Sequence, residues 1–284
     1  MKARWGILLL PPFLFSAGLL LATQFIFVRV SFFKDLRFGR LEEIFQLTNY
    51  ITFFTDPLYL YSLWLTVKIS AIVAAIALAV AYPVAYVLAR MPARWGSALL
   101  ALAVISAFIT IVIKVLGLII IFGAESPLNR LLLDLGIVGR PINLYGSFEG
   151  VVVGLLLYTL SFMLLILFSV IQTIPRSLEE AAEIHGASRW RVMWRVIVPL
   201  SLPGVVTGVL IVFNLAMGAF TSAALLGGGR VLTLPILIQQ AVLVQTKYAM
   251  AGTMSAVLLV IVMSINILSV IVVSKMQTGK GQVV

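Results

Sequence analysis

Few side chains in this sequence are equipped for covalent chemistry. There is no cysteine and a single histidine, His185. Neither Gly-x-Ser-x-Gly nor His-Glu-x-x-His occurs, so no serine nucleophile on a tight elbow and no paired-histidine zinc site can be read. The run Gly227, Gly228, Gly229 lacks the lysine and the serine or threonine of a phosphate-cradling loop. No other stretch supplies one, so the chain holds no site for ATP hydrolysis. What stands out instead is charge arranged for recognition. Residues 178–204 read LEEAAEIHGASRWRVMWRVIVPLSLPG. Three acids (Glu179, Glu180, Glu183) precede Gly186, and three arginines (Arg189, Arg191, Arg195) alternate with Trp190 and Trp194. Lys68, Lys114, Asn214 and Asn266 are polar groups set in apolar surroundings, where an ionisable residue is a functional candidate by default.

Two short helices with a hinge would position the charged stretch. Pro175 stands where a helix can begin without losing a hydrogen bond. The acids crowd the first turns, where the helix dipole favours negative charge. Leu178, Ala181, Ala182 and His185 share one face at three- and four-residue spacing. Gly186 suits the left-handed residue that ends such a helix. Ser188 caps a second helix, which runs until Pro199 stops it. His185 reads as a helix-end residue that meets carbonyls or packs, rather than as a proton relay or metal ligand.

The surroundings are a membrane. With 62% apolar and 11% charged residues among 284, and a mean hydropathy of +1.15, the composition is far from that of a globular domain. Charge-free runs cover residues 5–28, 69–89, 95–113, 150–175, 196–229 and 248–274. Each reaches the roughly 18–20 residues a helix needs to cross a bilayer. The expected fold is all-α, one polytopic membrane domain over 1–284. Its six spans fall at about 6–30, 60–89, 96–122, 149–173, 200–226 and 249–274, with an inner loop at 174–199. An apolar run reaching Val28 is too long for a cleaved signal and reads as an anchor. The net charge of +10 is spread over loops on both sides, which fits a lipid bilayer and not a nucleic acid. An inner N-terminus puts Lys2, Arg4, Arg90, Arg94, Arg176, Arg189, Arg191, Arg195, Lys275 and Lys280 on the cytoplasmic side, and both termini are expected there.

Between spans three and four, Ser126, Pro127 and Gly136 read as cap, first turn and stop of a short helix. The apolar segment 231–246, broken by Pro235, Gln239 and Gln240, reads as an interfacial or gate-lining helix, and Gly227 to Gly229 as a flexible outer loop or a gate. Lys68 lies 22 residues before Arg90, and Lys114 lies 19 after Trp95. Both are then about 30 Å from the inner side. From there a lysine either snorkels to headgroups or lines a path through the membrane. Apart from Glu149 at the mouth of span four, spans two to six contain no acid. The asparagines Asn214 and Asn266 bond between helices or touch a solute.

A family resemblance rests on these residues. Glu180-Ala181-Ala182, three residues, Gly186, then Val196-x-Val198-Pro199 resembles the EAA loop of ATP-binding-cassette importer permeases, with valine at both aliphatic positions as a departure. NYITFFTDPLYLYSLWLTVKIS (49–70) and YPVAYVLARMP (82–92) resemble the spermidine/putrescine-type branch. The resemblance implies a type I importer permease fold. The chain would be a permease subunit of an ATP-driven, binding-protein-dependent importer of a polyamine, an opine or another small organic solute. It implies docking on a separate ATPase through Glu179, Glu180, Ala181, Ala182, Gly186, Ala187, Arg189 and Pro199, while their placement inside spans makes Lys68, Lys114 and Asn214 the candidates for a solute path. The implied partners are two copies of an ATP-binding-cassette subunit, a second permease subunit of a different chain, and a periplasmic solute-binding protein. No cofactor belongs to this chain; ATP and Mg would act in the partners, at a bacterial inner membrane. The rival reading is a secondary transporter without an ATPase, which would carry inverted repeats and an intramembrane acid.

Overall fold

Inside hydrocarbon a backbone must satisfy its own hydrogen bonds, and the observed architecture is helical for that reason. The computed structural model describes residues 2–123 and 126–278, with the backbone alone at 2–9, 37, 93 and 272–278. Lys280, expected on the inner side, lies outside the described residues, as do the side chains of Lys2, Arg4 and Lys275. In chain order the elements are α1 (Lys2–Val30), β1 (Lys34–Asp35), β2 (Leu41–Glu42), α2 (Thr48–Thr55), α3 (Pro57–Arg90), α4 (Ala93–Phe108), α5 (Ile111–Ile121) and α6 (Pro127–Asp134). Then come α7 (Phe148–Gln172), α8 (Arg176–Ile184), α9 (Arg189–Val192), a π turn (Met193–Ile197), α10 (Val198–Gly218), α11 (Thr221–Leu226), α12 (Leu234–Leu243) and α13 (Tyr248–Thr278). The expected all-α fold is what forms; the β1–β2 hairpin is a two-residue antiparallel pair, Lys34 opposite Glu42.

Among the described residues, five helices are long and apolar enough to cross a membrane: Leu10–Val30, Pro57–Arg90, Phe148–Gln172, Arg189–Gly218 and Tyr248–Ile271. The segment expected as the third span is bent: two helices, Arg94–Phe108 and Ile111–Ile121, meet at 94°, and counted as one broken span they make six. The break falls in the run Ile109-Thr110-Ile111-Val112-Ile113, whose β-branched side chains crowd a helical turn. Ile109 still bonds back to the carbonyls of Ile105 and Ser106, which closes the end of α4. A second break, at Ala219 and Phe220, separates α10 from α11.

The chain packs as two units. The first comprises the residues up to Leu63 with Ile236–Ile261. Its centre is the start of α13. Asp35, carried out by the hairpin, accepts the N–H groups of Ala249 (2.8 Å) and Met250 (3.0 Å) and so caps that helix. The Ser31 carbonyl takes Asn49 Nδ2 at 2.9 Å and Thr253 Oγ1 at 3.2 Å, while its hydroxyl meets Tyr50 at 2.7 Å. Gly252 permits this approach: a Cβ there would lie 3.0 Å from the Phe27 carbonyl oxygen.

The second unit comprises Trp64–Pro235 and the residues from Val262 on. Helix α7 runs through its middle, burying Val151, Leu155, Met163, Leu167 and Ile171. Contact with α11 is close enough that a Cβ on Gly154 would stand 2.4 Å from Ser222 Oγ and 2.6 Å from Leu226 Cδ1. Ser222 in turn donates to the Val151 carbonyl at 3.1 Å. Small residues at helix contacts are the usual device where lipid is as apolar as the side chains. Ser126 caps α6, taking the Asn129 N–H at 3.2 Å, and Gly136 is left-handed at φ 66°, as the sequence signalled. Asn214 on α10 and Asn266 on α13 exchange both amide bonds, at 2.9 and 3.3 Å.

Two outcomes follow for purified protein followed by thermal denaturation in detergent. Asp35→Ala removes a charged helix cap and costs about 1–2 kcal/mol, whereas Asp35→Asn loses less. Gly154→Val forces α7 from α11 and costs about 1–3 kcal/mol as overpacking. An unchanged melting temperature in Gly154→Val would contradict the close approach.

Candidate functional site

Local rules build the charged stretch. The N-terminal flank is Pro175 at φ −60° and ψ 134°, after which α8 carries the acids. The C-terminal flank closes as a Schellman motif: Ala187 N–H reaches the Ala182 carbonyl at 3.0 Å and Gly186 N–H the Glu183 carbonyl at 2.9 Å. Gly186 sits at φ 79°, as that motif requires. His185 is the C-cap, its Nδ1 2.7 Å from the Ala181 carbonyl oxygen. Ser188 Oγ accepts the Arg191 N–H at 3.4 Å and starts α9. The expectation that Pro199 stops this second helix is corrected. The helix continues from Arg189 to Gly218. Val198 N–H bonds to the Met193 carbonyl, five residues back, across the π turn. That wider turn makes room for the ring at position 199 and the amide it lacks.

Most of α8 is uncovered. None of its residues is buried, Ile184 is 84% exposed, and Leu178, Glu180 and Ala181 are exposed with it. Trp190, 67% exposed, meets Trp194 edge-on at 5.6 Å. Val192 and Ile197 are buried and hold the second helix in place. Arg189 is almost fully solvated, and its 4.0 Å approach to Glu183 is a surface pair of little energetic weight.

Glu179 is the exception on α8, because it turns inward. Its Oε1 takes Arg90 Nε at 2.6 Å, with Arg90 Nη2 beside it, and its Oε2 takes the Tyr86 hydroxyl at 2.8 Å. Only about 15% of either charged side chain is exposed. Arg90 Nη2 also donates to the Ile174 carbonyl at 3.2 Å, and Arg176 Nη2 returns to the Arg90 carbonyl at 3.1 Å. Removing one partner of such a pair strands a charge, at a cost of about 3–5 kcal/mol. Beside it opens a cleft of about 530 Å³ flanked by Arg90, Met91, Arg176, Glu180, Glu183 and Arg189. Tyr86 and Arg90 were not singled out from sequence as partners. Their spacing was the available signal: two polar groups four apart share one face at the end of a span.

The intramembrane candidates separate. Lys68 Nζ lies 5.4 Å from the Phe148 ring centroid, a cation–π contact. Lys114 Nζ donates to the Leu157 carbonyl at 2.9 Å, tying α5 to α7. Asn214 pairs with Asn266 and also lines a cleft of about 370 Å³ with Ile111, Tyr158, Gly218, Phe220 and Thr221. That cleft lies at the broken ends of α5, α10 and α11, and neither lysine lines it.

Residues 81–277 match the family described as binding-protein-dependent transport system inner membrane component. The spermidine/putrescine transport system permease protein PotB of Haemophilus influenzae is 32% identical over 207 residues, 73% of this chain and 72% of that protein. PotB of Escherichia coli is 33% identical over 187 residues, 66% and 68%. Among solved structures, a bacterial ABC transporter involved in the import of the acidic polysaccharide alginate is similar with a TM-score of 0.76. It is 18% identical and covers 94% of this chain and 96% of that one. The MetNI methionine ABC transporter, inward facing, gives 0.59 at 19% identity, covering 78% and 99%. Identities this low speak for the fold alone. Taken with the PotB relatives, the broken apolar helices and the uncovered acidic helix, the match shows that this chain belongs to the binding-protein-dependent transport system inner membrane components, as a membrane-spanning permease subunit of a bacterial importer.

Proposed function

We propose that α8 and α9 are the docking element on which a separate ATP-binding-cassette subunit acts, and that this chain forms half of a solute path with a second permease subunit. The observation that carries this reading is the state of α8. It is a nine-residue helix that buries nothing, leaves its alanine face open, and is closed by a left-handed glycine. A helix in that condition makes sense when another protein covers it. Ala181, Ala182 and Ala187 let a partner backbone come close; Glu180, Glu183 and Arg189 set its register.

ATP and Mg act in the partner, two cassette subunits per complex, and a periplasmic solute-binding protein delivers the solute. Both termini are cytoplasmic, so that α8 faces the ATPase. ATP binding favours one orientation of the permease pair over the other, which gives alternating access. The solute is a small organic molecule, with a polyamine as the first candidate because the PotB relatives are named for spermidine and putrescine. The cleft beside Asn214 suits it: Tyr158 and Phe220 bring aromatic rings to its lining, a side-chain type that attracts cations, with Asn214 and Thr221 as polar groups. Lys114 is tied to α7 by its carbonyl bond and does not line that cleft.

Purification of the tagged chain from its native membranes in mild detergent should bring down a cassette ATPase and a second permease. Uptake that persists in ATP-free vesicles, with the chain isolated alone, would support a secondary transporter instead. Gly186→Val places a β-branched residue at φ 79°, where the backbone alone costs about 1–2 kcal/mol. Nothing lies within 4 Å of its new Cβ, so the effect is conformational. Inserted at normal levels, this variant should lower uptake per ATP hydrolysed at least ten-fold. Gly186→Asn, which tolerates that conformation, should lose less. Equal, wild-type coupling in both would contradict docking through this turn.

A further inference from the structure

Three observations in one unit of the chain bear on how movement leaves α8. The first is that apolar packing does not orient α8, since none of its residues is buried. It is joined to α7 and α9 only through non-helical links, at Thr173 to Pro175 and at His185 to Ser188. Its rigid attachment is polar, and it is made to α3: Glu179 to Arg90 and Tyr86, with Arg176 returning to the Arg90 carbonyl. The second is that α3 is one helix of 34 residues, from Pro57 to Arg90, which runs on through Pro83. Along it, Tyr82 is bonded to Ser201 of α10 at 2.8 Å. The third lies farther up α3. Thr66 Oγ1, buried, accepts the N–H of Leu234, the first residue of α12, at 2.8 Å. Thr66 and Arg90 are 24 residues apart, about 36 Å of helix. Beside that joint the buried Thr233 hydroxyl has no hydrogen-bond partner. A buried polar atom left unpaired is costly, and it fits a joint whose partners change between states.

We propose that α3 is a push rod: the Arg90–Glu179–Tyr86 cluster carries displacement of α8 into α3, and Thr66 delivers it to the start of α12. Arg90 and Tyr86 are positioning residues for the coupling step. They touch neither nucleotide nor solute and act through Glu179. The two ends of the rod differ in kind. At the α8 end a nearly buried, multiply bonded ion pair resists both pull and rotation, because the planar guanidinium fixes direction as well as distance. At the α12 end a hydroxyl–amide bond can be exchanged with little resistance. Force enters through the strong joint and is released at the weak one. This inference rests on the reading of α8 as the docking element, and it adds the route by which that element reaches a distant segment.

The test needs no knowledge of the solute. The chain has no cysteine, so Leu232→Cys, half-exposed and two residues before α12, is a unique thiol. In the assembled complex in proteoliposomes, its maleimide labelling rate is compared without nucleotide and after trapping with ATP and vanadate. The expected result is a rate difference of at least three-fold in the parent chain. Arg90→Glu should abolish that difference, and adding Glu179→Arg to it should restore most of it. The near-isosteric Glu179→Gln should reduce it, and Thr66→Val should abolish it without a change at Arg90. Assembly is followed in each case by co-purification of the ATPase. A rate difference that survives Arg90→Glu in an assembled complex would overturn the rod, as would a charge swap that restores nothing. So would an α12 thiol that never responds to nucleotide in the parent complex. Failure of the docking reading has its own signature, because the parent chain would then bring down no ATPase at all.

Discussion

A peptide group that loses its partner in hydrocarbon costs several kcal/mol, and most of this structure follows from that constraint. Long helices satisfy it trivially. It bears hardest where the helices stop within apolar stretches, at Ile109–Thr110 and at Ala219–Phe220. The ends there are closed by short back-bonds, Ile109 to the carbonyls of Ile105 and Ser106, and Ala219 to that of Ala216. Irregular backbone in a membrane protein is tolerated where it lines a cavity, and the cleft beside Asn214 and Phe220 is such a place. The same constraint explains why Lys114 bends to the carbonyl of Leu157.

Polar contacts do a different job in the interior of the second unit and at α8. In its interior they join helices already held by packing, as Ser222 does with the carbonyl of Val151. At α8 they replace packing. A helix without a buried residue has no hydrophobic term to hold it, so its direction depends on the Arg90–Glu179 pair and on Tyr86. Such an arrangement suits an element that must be covered by a soluble partner and yet remain connected to the membrane. Burying its alanine face inside the chain would have removed the surface a partner needs.

Much of this was legible without coordinates, and the legible parts share one property. The Ser126 and Ser188 caps, the left-handed Gly186 and Gly136, and the apolar length of the spans depend on neighbours within a few residues. The Pro199 expectation failed for an instructive reason. Proline stops an α-helix, but a π turn ending two residues earlier makes room for the ring and lets the helix go on. The bend between α4 and α5 lay in a run whose composition is equally that of a span, so hydropathy could not reveal it.

The sequence by itself determined that this is a membrane-embedded helical protein with an acidic, glycine-closed helix between two spans, because hydropathy and capping act over one or two turns. Only the tertiary structure decided that Glu179 faces inward while Glu180 faces out, that Lys114 is occupied by a carbonyl, and that Asn214 has Asn266 as its partner. Glu179 and Arg90 are 89 positions apart, and Asp35 and Ala249 are 214 apart. A charge carries no label for its partner. Which opposite group it meets is settled by how the apolar faces of the helices pack, and only then does the short-range geometry of a hydrogen bond select the pair.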